Sequence, residues 1–211
     1  MSNFEFSFNS AHPNAQALMA DEFYWSPIEE TAPFGSDDGS DAAYGFRDWR
    51  HTNKTGSAVS YLKNLITDWN YPYYDYTEID TIKIKEYITR PVKLDEAHIQ
   101  QLAQQLREAD KKSPVPQFDN LDDKQLREFL SEGPPDMGAS YLRGIDNAII
   151  GTTFAQFALE GAVDTDIKEL GIIAIKRQLL PLLVDGYADG YKDIRKQQLT
   201  KMLEVLNKID R

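Results

Sequence analysis

The sequence predicts a mainly α protein. Apolar residues recur at helical spacing through the C-terminal third, above all over 139–160 and 166–184. Shorter stripes over 59–69, 99–106 and 194–209 keep the same period. A clear period of two appears in one short place, Phe4–Phe8, which marks the one small β element expected. The 211 residues are read as a single multi-helix domain over 1–211 with a candidate sub-boundary near 112–118.

Taken in order, Phe4, Phe6 and Phe8 alternate with Glu5 and Ser7, a pattern that suits a strand with one aromatic face. Its partner would be Ile79–Ile88 if that segment were extended, since an isolated strand leaves backbone groups unpaired. Ile82 and Ile84 alternate, but Ile84, Tyr87 and Ile88 at helical spacing favour a helix there. Ser10 precedes a helix with Pro13 in its first turn, where a missing amide does no harm. Asp21–Arg50 reads as an ordered loop, interrupted by Pro27, Pro33, Gly35 and Gly39 and closing in a short helix over Asp41–Trp49.

Gly56–Trp69 follows as a helix through Val59, Leu62, Leu65 and Ile66, and Tyr71–Tyr76 is an aromatic connector. Asp95 caps the next helix, striped by Ile99, Leu102, Ala103 and Leu106 and ended by Lys111 and Pro114. Pro114–Pro116 is the candidate hinge. Asp122–Ser131 gives a shorter helix through Leu126, Phe129 and Leu130, stopped by Gly133-Pro134-Pro135. Ala139–Glu160 is apolar on most sides and reads as the central buried helix. Its small residues Gly144, Ala148, Gly151, Ala155 and Ala158 form a stripe for close helix approach, with 166–184 as the natural partner. Pro181 kinks or ends that partner. After turns at Asp185-Gly186-Tyr187 and Asp189-Gly190-Tyr191, a last helix turns Ile194, Leu199, Met202, Leu203, Leu206 and Ile209 inward and its lysines outward.

Net charge is −11, unevenly placed. Residues 1–50 carry nine carboxylates against Arg47 and Arg50, a net −7, whereas residues 192–211 carry a net +3. Such a field disfavours nucleic acid and suits a protein partner with a basic surface, or a cation. The longest apolar run, Leu179–Val184, is too short to span a bilayer, so no membrane partner is expected. The opening MSNFEFSFNS lacks the basic head and apolar stretch of a secretory signal, which points to a cytoplasmic location. Without cysteine there is no disulfide, thiol nucleophile or thiolate metal site.

Asp21–Arg50 is the candidate site. Acidic disordered segments are poor in aromatics, yet this one holds Phe23, Tyr24, Trp25, Phe34, Tyr44, Phe46 and Trp49. It should therefore fold, presenting a binding surface of Trp25, Glu29, Glu30, Phe34, Asp37, Asp38, Asp41, Phe46, Trp49 and Arg50. The turn Ser36–Asp41 is only superficially like an EF-hand. Counting from Asp37, the sixth residue is Ala42 and the twelfth Asp48, not the glycine and glutamate that loop needs. An irregular Ca²⁺ or Mg²⁺ site on Asp37, Asp38 and Asp41 remains, and no other cofactor is expected. His51 is the nearest candidate base, and Glu29 and Glu30 with Asp37 or Asp41 offer paired carboxylates. Trp25, Phe34 and Trp49 have the rings a sugar groove uses, or pin loops to the core. Ser60-Tyr61-Leu62-Lys63 and Lys54-Thr55-Gly56 match a penicillin-binding pattern in the wrong order and are coincidental. Neither standard glycine-rich phosphate loop nor an H-E-x-x-H zinc motif occurs.

The run from His12-Pro13 through Phe23-Tyr24-Trp25-Ser26-Pro27, Pro33-Phe34-Gly35-Ser36-Asp37 and Asp41-Ala42-Ala43-Tyr44 to Trp49-Arg50 resembles the YfeS-like group of bacterial proteins. The resemblance is strongest over 12–50 and implies a bacterial cytoplasmic protein without transferring catalytic residues. Some members are described as molybdate-regulator-like through a WGR domain. Trp49-Arg50 is not part of a Trp-Gly-Arg tripeptide, so that function is not carried over. The expected function is a non-enzymatic interaction module, a regulatory adaptor or immunity-type protein. Its acids would steer association, and Trp25, Phe34, Phe46 or Trp49 would anchor it. The alternative is a metal-dependent hydrolase with an Asp-rich site in residues 21–50.

Overall fold

A computed structural model describes residues 4–91, 96–113, 116, 118, 121–131 and 137–209, with only the backbone of His98. It is mainly helical, as expected. The helices are α1 (Pro13–Leu18), a 3₁₀ helix (Glu22–Trp25), α2 (Asp37–Thr52), α3 (Ala58–Asp68), α4 (Thr81–Thr89), α5 (Glu96–Lys112), α6 (Asp123–Ser131), α7 (Met137–Glu160), α8 (Thr165–Gln178), α9 (Pro181–Val184) and α10 (Asp189–Lys208). No strand occurs among the described residues, which corrects the reading of Phe4–Phe8. There the Arg47 guanidinium donates to the Phe4 carbonyl at 2.7 Å, and Phe6 stacks on Phe34 with ring centroids 4.5 Å apart. Side chains of neighbouring segments thus hold this stretch, and the partner considered for it is helical in α4.

The backbone groups into two compact units, Met1–Lys85 with Tyr141–Arg211, and Glu86–Ser140. The expected sub-boundary near 112–118 lies inside the second unit, and Asp95 and Pro114 lie outside the described residues. In the second unit α5 pairs with α6. Arg107 donates to the carbonyls of Phe118 (2.8 Å) and Leu121 (2.6 Å), and Asp110 accepts from the Phe118 amide at 2.7 Å. These bonds satisfy backbone groups between the helices. Leu126 is buried, but Phe129, expected on the same apolar side, is 60% exposed.

In the first unit α7 runs through the core, with Leu142, Ile145, Ile149, Phe154 and Phe157 all buried. Its small-residue stripe does admit a close neighbour, but the neighbour is α2 and not the expected 166–184. A Cβ on Gly151 would stand 2.4 Å from the Gly39 carbonyl oxygen, so the two backbones nearly touch. At Gly144 the missing side chain makes room for Asp38 and Tyr71. α8 meets α7 on another side, where Gly171 faces Thr153 and Arg177 reaches Asp146. Both members of that ion pair are fully buried. Gln178 also donates to Asp146, at 3.0 Å. Arg177 donates onward to the carbonyls of Tyr76 (3.2 Å) and Glu78 (2.6 Å) and lies 5.0 Å from the Tyr74 ring centroid. A buried charge needs this degree of pairing, and the aromatic connector is tied to the core by it.

Pro181 ends the α8 segment as expected and becomes the first residue of α9. The second Asp-Gly-Tyr, read as a turn, instead opens α10. Leu199, Met202 and Leu206 of α10 are buried, whereas Ile194 is 44% exposed. Arg195 takes the inward place beside it and is 2% exposed. At the other end of the unit, Gly161 terminates α7 with φ +68°, and the His12 ring packs where a Cβ would lie. Asn14 donates to the Gly161 carbonyl at 3.0 Å, fastening α1 to the end of α7.

Gly151→Ala tests the α2–α7 contact. Inside a helix alanine normally gains about 1 kcal/mol over glycine, but overpacking costs about 1–3 kcal/mol. Because the atom struck is backbone, we expect urea unfolding to show a net loss of stability.

Candidate functional site

The acidic segment is fastened by the basic end of the chain. Arg195, Gln198 and Lys201 recur every third residue along α10, so they share one face. Lys201 pairs with Asp21 at 2.7 Å, Gln198 donates to Glu29 at 2.5 Å, and Arg195 donates to the Thr31 carbonyl at 2.6 Å. Trp25 donates its indole N–H to the Met19 carbonyl at 2.9 Å, and the Tyr24 ring lies 5.9 Å from that of Phe154. Gly35 is required where the loop doubles back, since a Cβ there would sit 1.9 Å from the Glu29 carbonyl oxygen.

Ser36 then caps α2, its hydroxyl accepting from the Gly39 amide at 3.1 Å. Asp37 and Asp38 occupy the first turn, where the helix dipole favours negative charge. The short helix expected over 41–49 is therefore a helix of 16 residues, Asp37–Thr52, which takes in the last part of the expected loop. Gly39 is no interruption, because its bare backbone is what meets Gly151.

This arrangement separates the residues expected to share a surface. Trp25, Phe34 and Phe46 are 9%, 2% and 0% exposed, so they are core residues and not exposed anchors. Trp49 is half-buried, its ring 5.9 Å from Phe46 and 5.4 Å from Tyr61. Arg50 is paired with Glu160 at 2.7 Å and Asp164 at 3.4 Å, and Glu29 is tied to Gln198. Glu30, Asp37 and Asp41 stand exposed. His51 is exposed near the C-terminal end of α2.

Asp38 is half-buried and accepts from the Tyr71 hydroxyl at 2.6 Å. Burial pushes its carboxyl above the ordinary carboxylate range against the pull of that hydrogen bond, and Asp37 and Asp41 add to the rise. Burial, with Asp38 close by, likewise raises the Tyr71 phenol. With Asp38 bound to Tyr71, the three aspartates expected to hold a metal do not converge. Among the described residues no three of His, Asp and Glu form a group able to hold one.

A cavity of about 510 Å³ opens beside the first turn of α2. Pro27, Ile28, Glu30 and Gly35 line it from the loop, Ser36, Asp37 and Asp38 from α2, Arg143 and Asn147 from α7, and Tyr187 from the turn before α10. The Arg143 guanidinium lies 5.0 Å from the Tyr187 ring centroid. Arg195 donates to the side-chain oxygen of Asn147 at 3.3 Å. Arg143, Asn147 and Tyr187 were missed in the sequence. The available signal was Arg143, Asp146 and Asn147 at spacings of three and four inside an otherwise apolar helix.

No family model, curated protein or solved structure matches this chain. No helix of the described residues is long and apolar enough to cross a membrane.

Asp38→Asn tests the electrostatics. A carboxyl whose folded pKa is raised costs stability when ionised, and the cost vanishes once it is protonated in both states. The variant should therefore be more stable than the parent at pH 7. The gap should close as pH falls through the raised pKa to below about 3.9, the ordinary aspartate value, in unfolding curves measured across that range.

Proposed function

We propose that this is a non-enzymatic interaction protein, a regulatory adaptor or immunity-type protein, that offers the outer face of α2 to a basic protein partner. The resemblance of residues 12–50 to the YfeS-like group supports a bacterial, cytoplasmic setting. One observation carries the reading. Gly39, Ala42, Ala43 and Phe46 bury one side of α2, while Asp37 and Asp41, one turn apart, stand exposed on the other. Neither has a cationic partner among the described residues, and the same holds for exposed Glu30. Unpaired carboxylates on a helix fixed to the core present a stationary field, which raises association rates with a cationic surface. Tyr44 and Trp49, the half-buried aromatics of α2, take the anchoring part that burial denies to Phe34 and Phe46. Tyr44 is oriented by donating to Glu5 at 2.9 Å.

A photo-crosslinking residue at position 44 in the full chain would identify the partner in cells, after which association rates are measured with purified proteins. Asp37→Lys with Asp41→Lys should slow association about tenfold or more at low salt. The difference should shrink as salt shortens the screening length. An unchanged low-salt rate would overturn the proposal.

A further inference from the structure

We propose that the cavity beside α2 binds a small molecule carrying a carboxylate together with ammonium groups, of which a basic α-amino acid is the simplest. Its volume, about 510 Å³, falls within the range of small-ligand sites.

Its lining is divided by charge. Arg143 is the one cation in it, and among the described residues it has no carboxylate partner. The Tyr187 ring supports the guanidinium, and a guanidinium so placed is suited to take a carboxylate through two parallel N–H donors. Asn147 adds a further donor. Arginine only donates, so the Asn147 oxygen must face Arg195 and its NH₂ remains for a ligand. That NH₂ has no protein acceptor among the described residues.

Glu30 and Asp37 supply two unpaired carboxylates, while Asp38 is occupied by Tyr71. A simple anion drawn to Arg143 would meet these carboxylates, and a simple cation drawn to them would meet Arg143. A molecule bearing both charges satisfies both, and two acids against one arginine favour a second ammonium. Ile28, 87% exposed, and Pro27 give apolar surface for an aliphatic chain. The inference goes beyond the interaction role. Its own determinant, Arg143, lies on α7, so it is tested without altering the outer face of α2.

The test is NMR titration of the full chain with L-lysine, cadaverine (no carboxylate) and L-norleucine (no side-chain ammonium). L-lysine should give saturable shifts centred on Ile28 and Tyr187, with cadaverine and L-norleucine each at least several-fold weaker. Arg143→Met should weaken L-lysine about tenfold, the loss of one charge-assisted contact, and leave cadaverine unchanged. Glu30→Gln, a second variant independent of the first and off α2, should weaken L-lysine and spare L-norleucine. Cadaverine binding as well as L-lysine would overturn the proposal, as would no saturable shift with L-lysine up to about ten millimolar. Inorganic phosphate binding more tightly than L-lysine through Arg143 would make this an anion site and also overturn it.

Discussion

Gly39 and Gly151 bring the backbones of α2 and α7 almost into contact, and the place of the acidic segment follows from that approach. With any larger residue at either position α2 would ride higher. Asp38 would then leave its seat beside Gly144 and lose Tyr71, and the mouth of the cavity would widen. A glycine inside a helix is a local weakness. Here it is offset by the dispersion contacts of two close-packed surfaces, together with the aromatic cluster of Phe6, Phe34 and Trp25, in which Phe6 packs on Tyr44 of the same helix.

Around that apolar seam the core is unusually polar. Asp146, Arg177, Gln178 and Arg195 are all buried. An apolar set of similar volume would give comparable or greater stability, so the role of the polar one is better sought in position. Arg177 fixes the carbonyls of the connector, and Arg195 fixes both the Thr31 carbonyl and the Asn147 side chain. Burial depresses the Arg195 pKa, yet a guanidinium stays protonated in any ordinary pH range. Its charge is therefore a permanent feature of the interior, held between the Thr31 carbonyl and the Asn147 side chain.

Helix periodicity was enough to find nearly every helix, because burying a stripe is a local requirement of each segment. Pro181 and the central place of 139–160 were legible for the same reason. Phe4–Phe8 was misread because an alternation records which side chains go inward, not which groups pair the backbone. The aromatics of 21–50 were rightly taken as a reason for the segment to fold, but that same burial removes most of them from the surface. The inward place of Arg195 is not legible in the sequence, because its partners, the Thr31 carbonyl and Asn147, lie 164 and 48 residues away. No spacing rule spans such distances. Charge asymmetry between the chain ends is visible, and part of it is taken up within the molecule, where Lys201 pairs with Asp21.

The three contacts from α10 to the acidic segment join residues 164, 169 and 180 apart in the chain. Contacts this distant close late, after the loops between them have been organised. During synthesis, residues 21–31 are made first but must wait for 195–201, so the candidate site cannot be completed before α10 is made. Until then the aromatic-acidic segment is unclasped. Its high negative charge over that interval would discourage self-association until α10 arrives to hold it.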